Sequence, residues 1–137
     1  MNKIIVAVLL ILSLTGCGLT INDKIVGNYY LEAVDTQQEL TVCYRDPDET
    51  TSTLLIDQTV FAVGHNDQYI IAKQHPSKFG KSIDKKNTCY FILPVTTTPE
   101  AEIAKPIGPL TMAEFDLKRK ELGIEAIAFT TVYSELE

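Results

Sequence analysis

Tryptophan is absent from this 137-residue chain, histidine occurs twice and cysteine three times. The lack of Trp weighs against a glycan-stacking site, although six Tyr are present. Two imidazoles and three thiols, widely spaced, are too few for a structural zinc site. Positive charge is also scarce. Twelve Lys+Arg stand against 18 Asp+Glu, a formal −6, which argues against a nucleic-acid partner because such proteins carry a basic face. No apolar run reaches the roughly 20 residues of a membrane-spanning helix. The G-x-S-x-G elbow, H-E-x-x-H, the P-loop and G-x-G-x-x-G are all missing, so the sequence assigns no catalytic residue, no cofactor and no metal ligand. What the chain does have is apolar material, 45% of its residues, enough to build the core of one domain. No internal repeat of fixed period appears.

The first segment carries an address. Met1-Asn2-Lys3 precedes an unbroken apolar stretch over residues 4–12, and Ser13-Leu14-Thr15-Gly16-Cys17 follows. One positive charge and then about ten apolar residues make the n- and h-regions of a secretory signal. The junction Leu14-Thr15-Gly16-Cys17 looks like a bacterial lipobox, in which the Cys is acylated on sulfur and the signal is cut before it. Two or three acyl chains anchor a protein stably where one is marginal. The expected organisation is a lipoprotein signal peptide at 1–16, a lipidated tether at 17–24 and a single domain at 25–137. Cleavage takes 16 of the 137 residues, Lys3 among them, and leaves 121 with a side-chain balance of −7. Gly18, where inner-membrane lipoproteins commonly have Asp, favours the outer membrane if the source is Gram-negative.

Export makes a disulfide feasible between the two remaining cysteines, Cys43 and Cys89, and a bridge is the expectation. It would close a loop of about 45 residues and contribute about 4 kcal/mol in the chain-entropy model. Two separate buried thiols are the alternative, since free Cys packs well in cores. No Cys-x-x-Cys spacing suggests redox activity.

Beyond the tether the pattern reads mostly as strands. Residues 25–33 and 39–45 carry β-branched and aromatic side chains at period two, as do 53–56, 58–63, 68–73 and 88–95. Gly64-His65-Asn66-Asp67 marks a hairpin, and Asp46-Pro47-Asp48-Glu49-Thr50 marks a loop. Residues 96–109, with Pro99, Pro106 and Pro109, read as an irregular connection. One helix is signalled at both ends. Thr111 and Glu114 form a capping box, Leu110 and Phe115 a hydrophobic staple, and Gly123 stands where a left-handed cap belongs. Glu114–Lys118 and Asp116–Lys120 stand at the i,i+4 spacing of favourable ion pairs. Met112, Phe115 and Leu122 make a narrow apolar stripe for docking on a sheet, and Ile127, Phe129 and Tyr133 alternate along a last strand. The fold class expected is α+β, mainly an antiparallel sheet of about five to seven strands with one helix packed on a face.

Candidate chemistry is sparse. His65 and His75 lie in turn-rich polar stretches and read as solvated surface residues. Asp46-Pro47-Asp48-Glu49-Thr50 touches both the D-x-D-x-T of haloacid-dehalogenase-like phosphatases and a calcium loop. The chain lacks the parallel α/β core of the first, and Thr51 replaces the Gly that the second needs. It reads as an acidic turn. Lys73, Lys78, Lys81, Lys85 and Lys86 crowd into 14 residues with only Asp84 opposing them. That stretch is a candidate basic binding loop for anionic headgroups or an acidic partner.

Together with the lipobox, Gly27-Asn28-Tyr29-Tyr30-Leu31, Val60-Phe61-Ala62-Val63-Gly64 leading to Tyr69-Ile70-Ile71-Ala72-Lys73, and Gly108-Pro109-Leu110 before Glu114-Phe115 resemble an uncharacterised family of small bacterial lipoproteins. The resemblance implies no assigned activity and carries over one functional residue, Cys17. The expected function is a non-enzymatic binding or accessory module of the cell envelope, held at the membrane by its N-terminal lipid and meeting an unidentified envelope protein or ligand. An immunity-type or inhibitor lipoprotein directed at an exported toxin or hydrolase is the second reading. An enzyme with an unrecognised constellation is the third.

Overall fold

The structure, a computed structural model, describes residues 20–48, 50–78, 80–98 and 101–137. The signal segment 1–16, Cys17 and Glu49 lie outside the described residues.

Among the described residues, nine strands form two antiparallel sheets. The first sheet runs in the order β1 (Ile21–Val26), β2 (Tyr29–Ala33), β3 (Thr41–Arg45), β4 (Ser52–Ile56). The chain then crosses at residues 57–59 to the second sheet. Its strands are β5 (Val60–His65), β6 (Tyr69–Gln74), β7 (Cys89–Pro94), β8 (Ile107–Leu110) and β9 (Thr131–Val132), and their spatial order is β8-β7-β6-β5-β9. The helix α1 (Met112–Leu122) follows β8. The α+β class holds, with the strands divided between two sheets rather than five to seven of them in one.

Burial explains the division. In β2 the side chains of Tyr29, Leu31 and Ala33 turn inward and meet Val60, Ala62, Ile70, Ala72, Phe91 and Leu93 of the second sheet. Intervening residues of β6 and β7 point the other way. Ile71 and Ile92 pack with Phe115, Ile124 and Ile127 beneath the helix. The second sheet is therefore the middle of three layers, and Ile70-Ile71-Ala72 is continuously apolar because both of its faces are covered.

The run at residues 25–33 does not form one strand. It folds back at Gly27, whose φ of +54° suits the first position of a two-residue hairpin, and Val26 pairs with Tyr29. β1 accordingly takes up residues 21–24 of the stretch read as tether. Residues 107–109 of the stretch read as irregular, together with Leu110, make the edge strand β8, and of the expected last strand only Thr131–Val132 pairs, against β5. Gly64 owes its identity to a close approach. A Cβ there would stand 1.9 Å from the carbonyl oxygen of Ala128.

The helix matches its sequence signals at the ends. Thr111 Oγ1 accepts from the Glu114 amide at 3.3 Å, and Glu114 Oε2 accepts from the Thr111 amide at 2.8 Å. With its carboxylate held at the cap, Glu114 is not Lys118's partner. Lys118 pairs with Glu121 at 2.6 Å. Of the expected apolar stripe, Phe115 is buried and Leu122 packs on the same cluster, but Met112 is 62% exposed. Arg119 lies over the Phe115 ring and donates to the carbonyls of Glu125 and Ile127, fastening the segment that leaves the helix.

Candidate functional site

The crossing at residues 57–59 is braced backbone that faces a cleft. Gln74, nearly buried, donates its amide to the carbonyls of Asp57 and Gln58 at 2.8 and 3.1 Å. Thr59 donates through Oγ1 to the Gln38 carbonyl at 2.5 Å, and its backbone exchanges hydrogen bonds with His75. Val60 donates to the Leu40 carbonyl at 2.9 Å. A residue projecting from this frame is well positioned because its backbone has few ways to move.

Gln58 is that residue, and three grooves meet at it. The first, of about 450 Å³, is walled by Gln58, Ser77, Lys78, Lys81 and Ser82 over a floor that includes Pro76, Cys89 and Pro109. The second, of about 520 Å³, shares Gln58, Ser77, Lys81 and Ser82 and continues to Thr36, Gln38 and Glu39. The third passes from Gln58 to Ala33, Val34 and Asp35. Gln58 donates its amide to Ser77 Oγ at 3.4 Å, which leaves the Ser77 hydroxyl hydrogen free to point into the groove.

The acidic groups in the two grooves that hold lysines are bound by their own loops. Asp84 accepts from the Asn87 side chain at 2.6 Å and from the Lys86 amide at 3.1 Å, and these bonds lower its pKa, the first more than the second. Asp57 Oδ1 accepts from the Gln58 amide, and Glu39 Oε2 from the Asp35 amide. Among the described residues, the ammonium groups of Lys78 and Lys81 meet no carboxylate within ion-pair distance. Two unpaired cations and two serine hydroxyls beside a partly apolar floor suit an anionic group better than a cation.

The five lysines read as one loop thus separate. Lys73 belongs to β6 and sits 4.7 Å from the Phe129 ring centroid. Lys85 donates to the Glu135 carbonyl at 2.8 Å and ties the loop to the C-terminal segment. Lys86 is exposed and lines none of these grooves. Only Lys78 and Lys81 reach the grooves.

Cys43 and Cys89 are free thiols, so the expected disulfide is not formed. They lie in different sheets, Cys43 on β3 beside the Thr41 hydroxyl at 3.3 Å and Cys89 at the start of β7. Burial raises the pKa of each.

His75 also departs from expectation. It is 2% exposed, stacked on Phe61 with centroids 4.2 Å apart, and its Nδ1 is 2.8 Å from the Asn87 carbonyl. That bond makes Nδ1 the protonated nitrogen and leaves Nε2 buried without a partner. His75 is a packing residue, whereas His65 is exposed at the end of β5. Among the described residues no three His, Cys, Asp or Glu side chains converge on a metal position, and no helix is long and apolar enough to cross a membrane. The acidic turn links β3 to β4, where Asp46 Oδ1 accepts from the Asp48 amide.

The described residues define a class: a three-layer α+β domain with two antiparallel sheets, one helix and polar grooves at the sheet-to-sheet crossing. Residues 26–133 match the family described as protein of unknown function, DUF3997, and the chain belongs to that family. No curated protein and no solved structure matches it.

Proposed function

We propose that this protein is a membrane-anchored bacterial lipoprotein whose domain is a non-catalytic binding or accessory module of the cell envelope. The observation that carries the reading is Cys17 directly after Leu14-Thr15-Gly16, at the end of an apolar run too short to span a bilayer. Acylation on the Cys17 sulfur holds the domain at the membrane, at the outer membrane if the source is Gram-negative, facing the periplasm or the cell surface. A binding role is favoured by the grooves at Gln58, which present cations and hydroxyls rather than a nucleophile with a neighbouring base.

The test is cross-linking in intact cells followed by affinity capture of tagged protein bearing its native signal, with Cys17→Ala as control. One stoichiometric partner, lost in the control, supports an anchored binding role. A toxin or hydrolase as that partner moves the assignment to the immunity-type reading. Wild-type protein in the soluble fraction overturns the anchor.

A further inference from the structure

The grooves at Gln58 and the point where the chain leaves for its anchor lie at the same end of the molecule. Ile21, the first residue of β1, pairs with Ala33, the last of β2. Ala33, Val34 and Asp35 line the groove that also holds Gln58, and Gln58 in turn borders the grooves of Lys78 and Lys81. Three residues separate Cys17 from Ile21, so the four steps between them reach at most about 14 Å in an extended chain. Val34, 69% exposed, stands on the same rim and offers an apolar tip to an interface.

Resting on the lipoprotein reading above, we propose that this end of the domain docks on the bilayer and that Lys78 and Lys81, with Ser77 and Ser82, bind the phosphate of an anionic lipid headgroup. Three observations favour a lipid over a soluble anion. The short tether confines the rim to the membrane surface. The two ammonium groups are unpaired while Asp57, Asp84 and Glu39, the carboxylates that line their two grooves, are bound by their own loops. The two lysine-lined grooves, of about 450 and 520 Å³, are open troughs on one rim, as a headgroup approaching from a surface requires. Lys118 and Lys120, on α1, line none of these grooves and serve as internal references.

The experiment uses full-length protein made with its native signal and purified from membranes. It is reconstituted into vesicles of phosphatidylcholine alone or with one-third phosphatidylglycerol, then pulsed with a membrane-impermeant amine reagent. Peptide masses report the labelling of each lysine relative to Lys118 in the same molecules. The expected result is that Lys78 and Lys81 lose reactivity by about five-fold on phosphatidylglycerol, the factor corresponding to the attraction of one basic residue for an anionic surface. Lys120 stays unchanged. In a parallel arm, inorganic phosphate is added to the phosphatidylcholine vesicles. Equal protection there assigns the site to a soluble anion and overturns the lipid proposal. Protein that floats with the vesicles but labels identically on both overturns the docking alone. Protein that floats with neither overturns the anchor and the docking with it.

Discussion

The Tyr29 hydroxyl accepts a hydrogen bond from the Thr96 amide at 2.9 Å, joining the first sheet to the segment that leaves β7 in the second. The ring beneath it is fully buried and meets Tyr44 edge-on at 5.1 Å. Tyr29→Phe keeps the ring and removes the acceptor, leaving a partly buried N–H to find another partner. We expect a loss of about 1–2 kcal/mol in urea unfolding with an unchanged m-value.

Gly64→Ala is a sharper probe of the same assembly. The added methyl would stand 1.9 Å from the Ala128 carbonyl oxygen, and a backbone atom cannot swing aside as a side chain can. The segment after the helix would have to lift from β5. The expected cost is about 1–3 kcal/mol or more, with amide exchange rising first near Thr130 and Tyr133, whose N–H groups bond to Val63 and Phe61 of β5.

Tyr133 ties the C-terminal segment to β1 by donating to Asp23 Oδ2 at 3.0 Å. Burial and, next, the Asp23 carboxylate push its pKa from 10 up to about 12. Because the folded value is the higher one, the neutral phenol's stabilisation is fully present below pH 10 and disappears as pH rises through about 12. Absorbance titration of the phenolates should therefore show a late-ionising tyrosine. Asp23→Asn should move it down, though not to 10, since burial remains.

Both Cys43 and Cys89 should alkylate in denaturant without prior reduction. In the folded protein Cys89 should react well before Cys43, which is only 5% exposed. A chain that takes up no label at these positions until reduced would contradict the structure.

Legibility in the sequence followed the range of the interactions. The helix was readable at both ends because Thr111, Glu114 and Gly123 act on neighbours within one turn. The β5–β6 hairpin was readable for the same reason. The fold-back at Gly27 was hidden, because β-branched and aromatic residues continue on both sides of it and only one dipeptide marks the turn. His75 was misread because its burial comes from Phe61, fourteen positions away, and its polar neighbours along the chain say nothing of that stacking. The grooves were legible only in part. Lys78 and Lys81 stood out by charge, but Gln58, Ser77 and Ser82 gain their place from the crossing between sheets, which no local pattern announces.

The two-sided burial of β6 removes the usual guard against a shifted alignment. In a half-exposed strand, moving one position along throws apolar side chains into water, and that cost keeps partners matched. Here Ile70, Ile71 and Ala72 would find an apolar layer on either side. Alignment must come from the strand's ends instead. At one end Asn66 Oδ1 receives the amides of Gln68 and Tyr69, both at 2.8 Å, and its own N–H bonds to the Tyr69 carbonyl. At the other, Gln74 is committed to the carbonyls of Asp57 and Gln58. The side chains that clamp the crossing beneath the grooves thus also decide which residue faces which along the central strand.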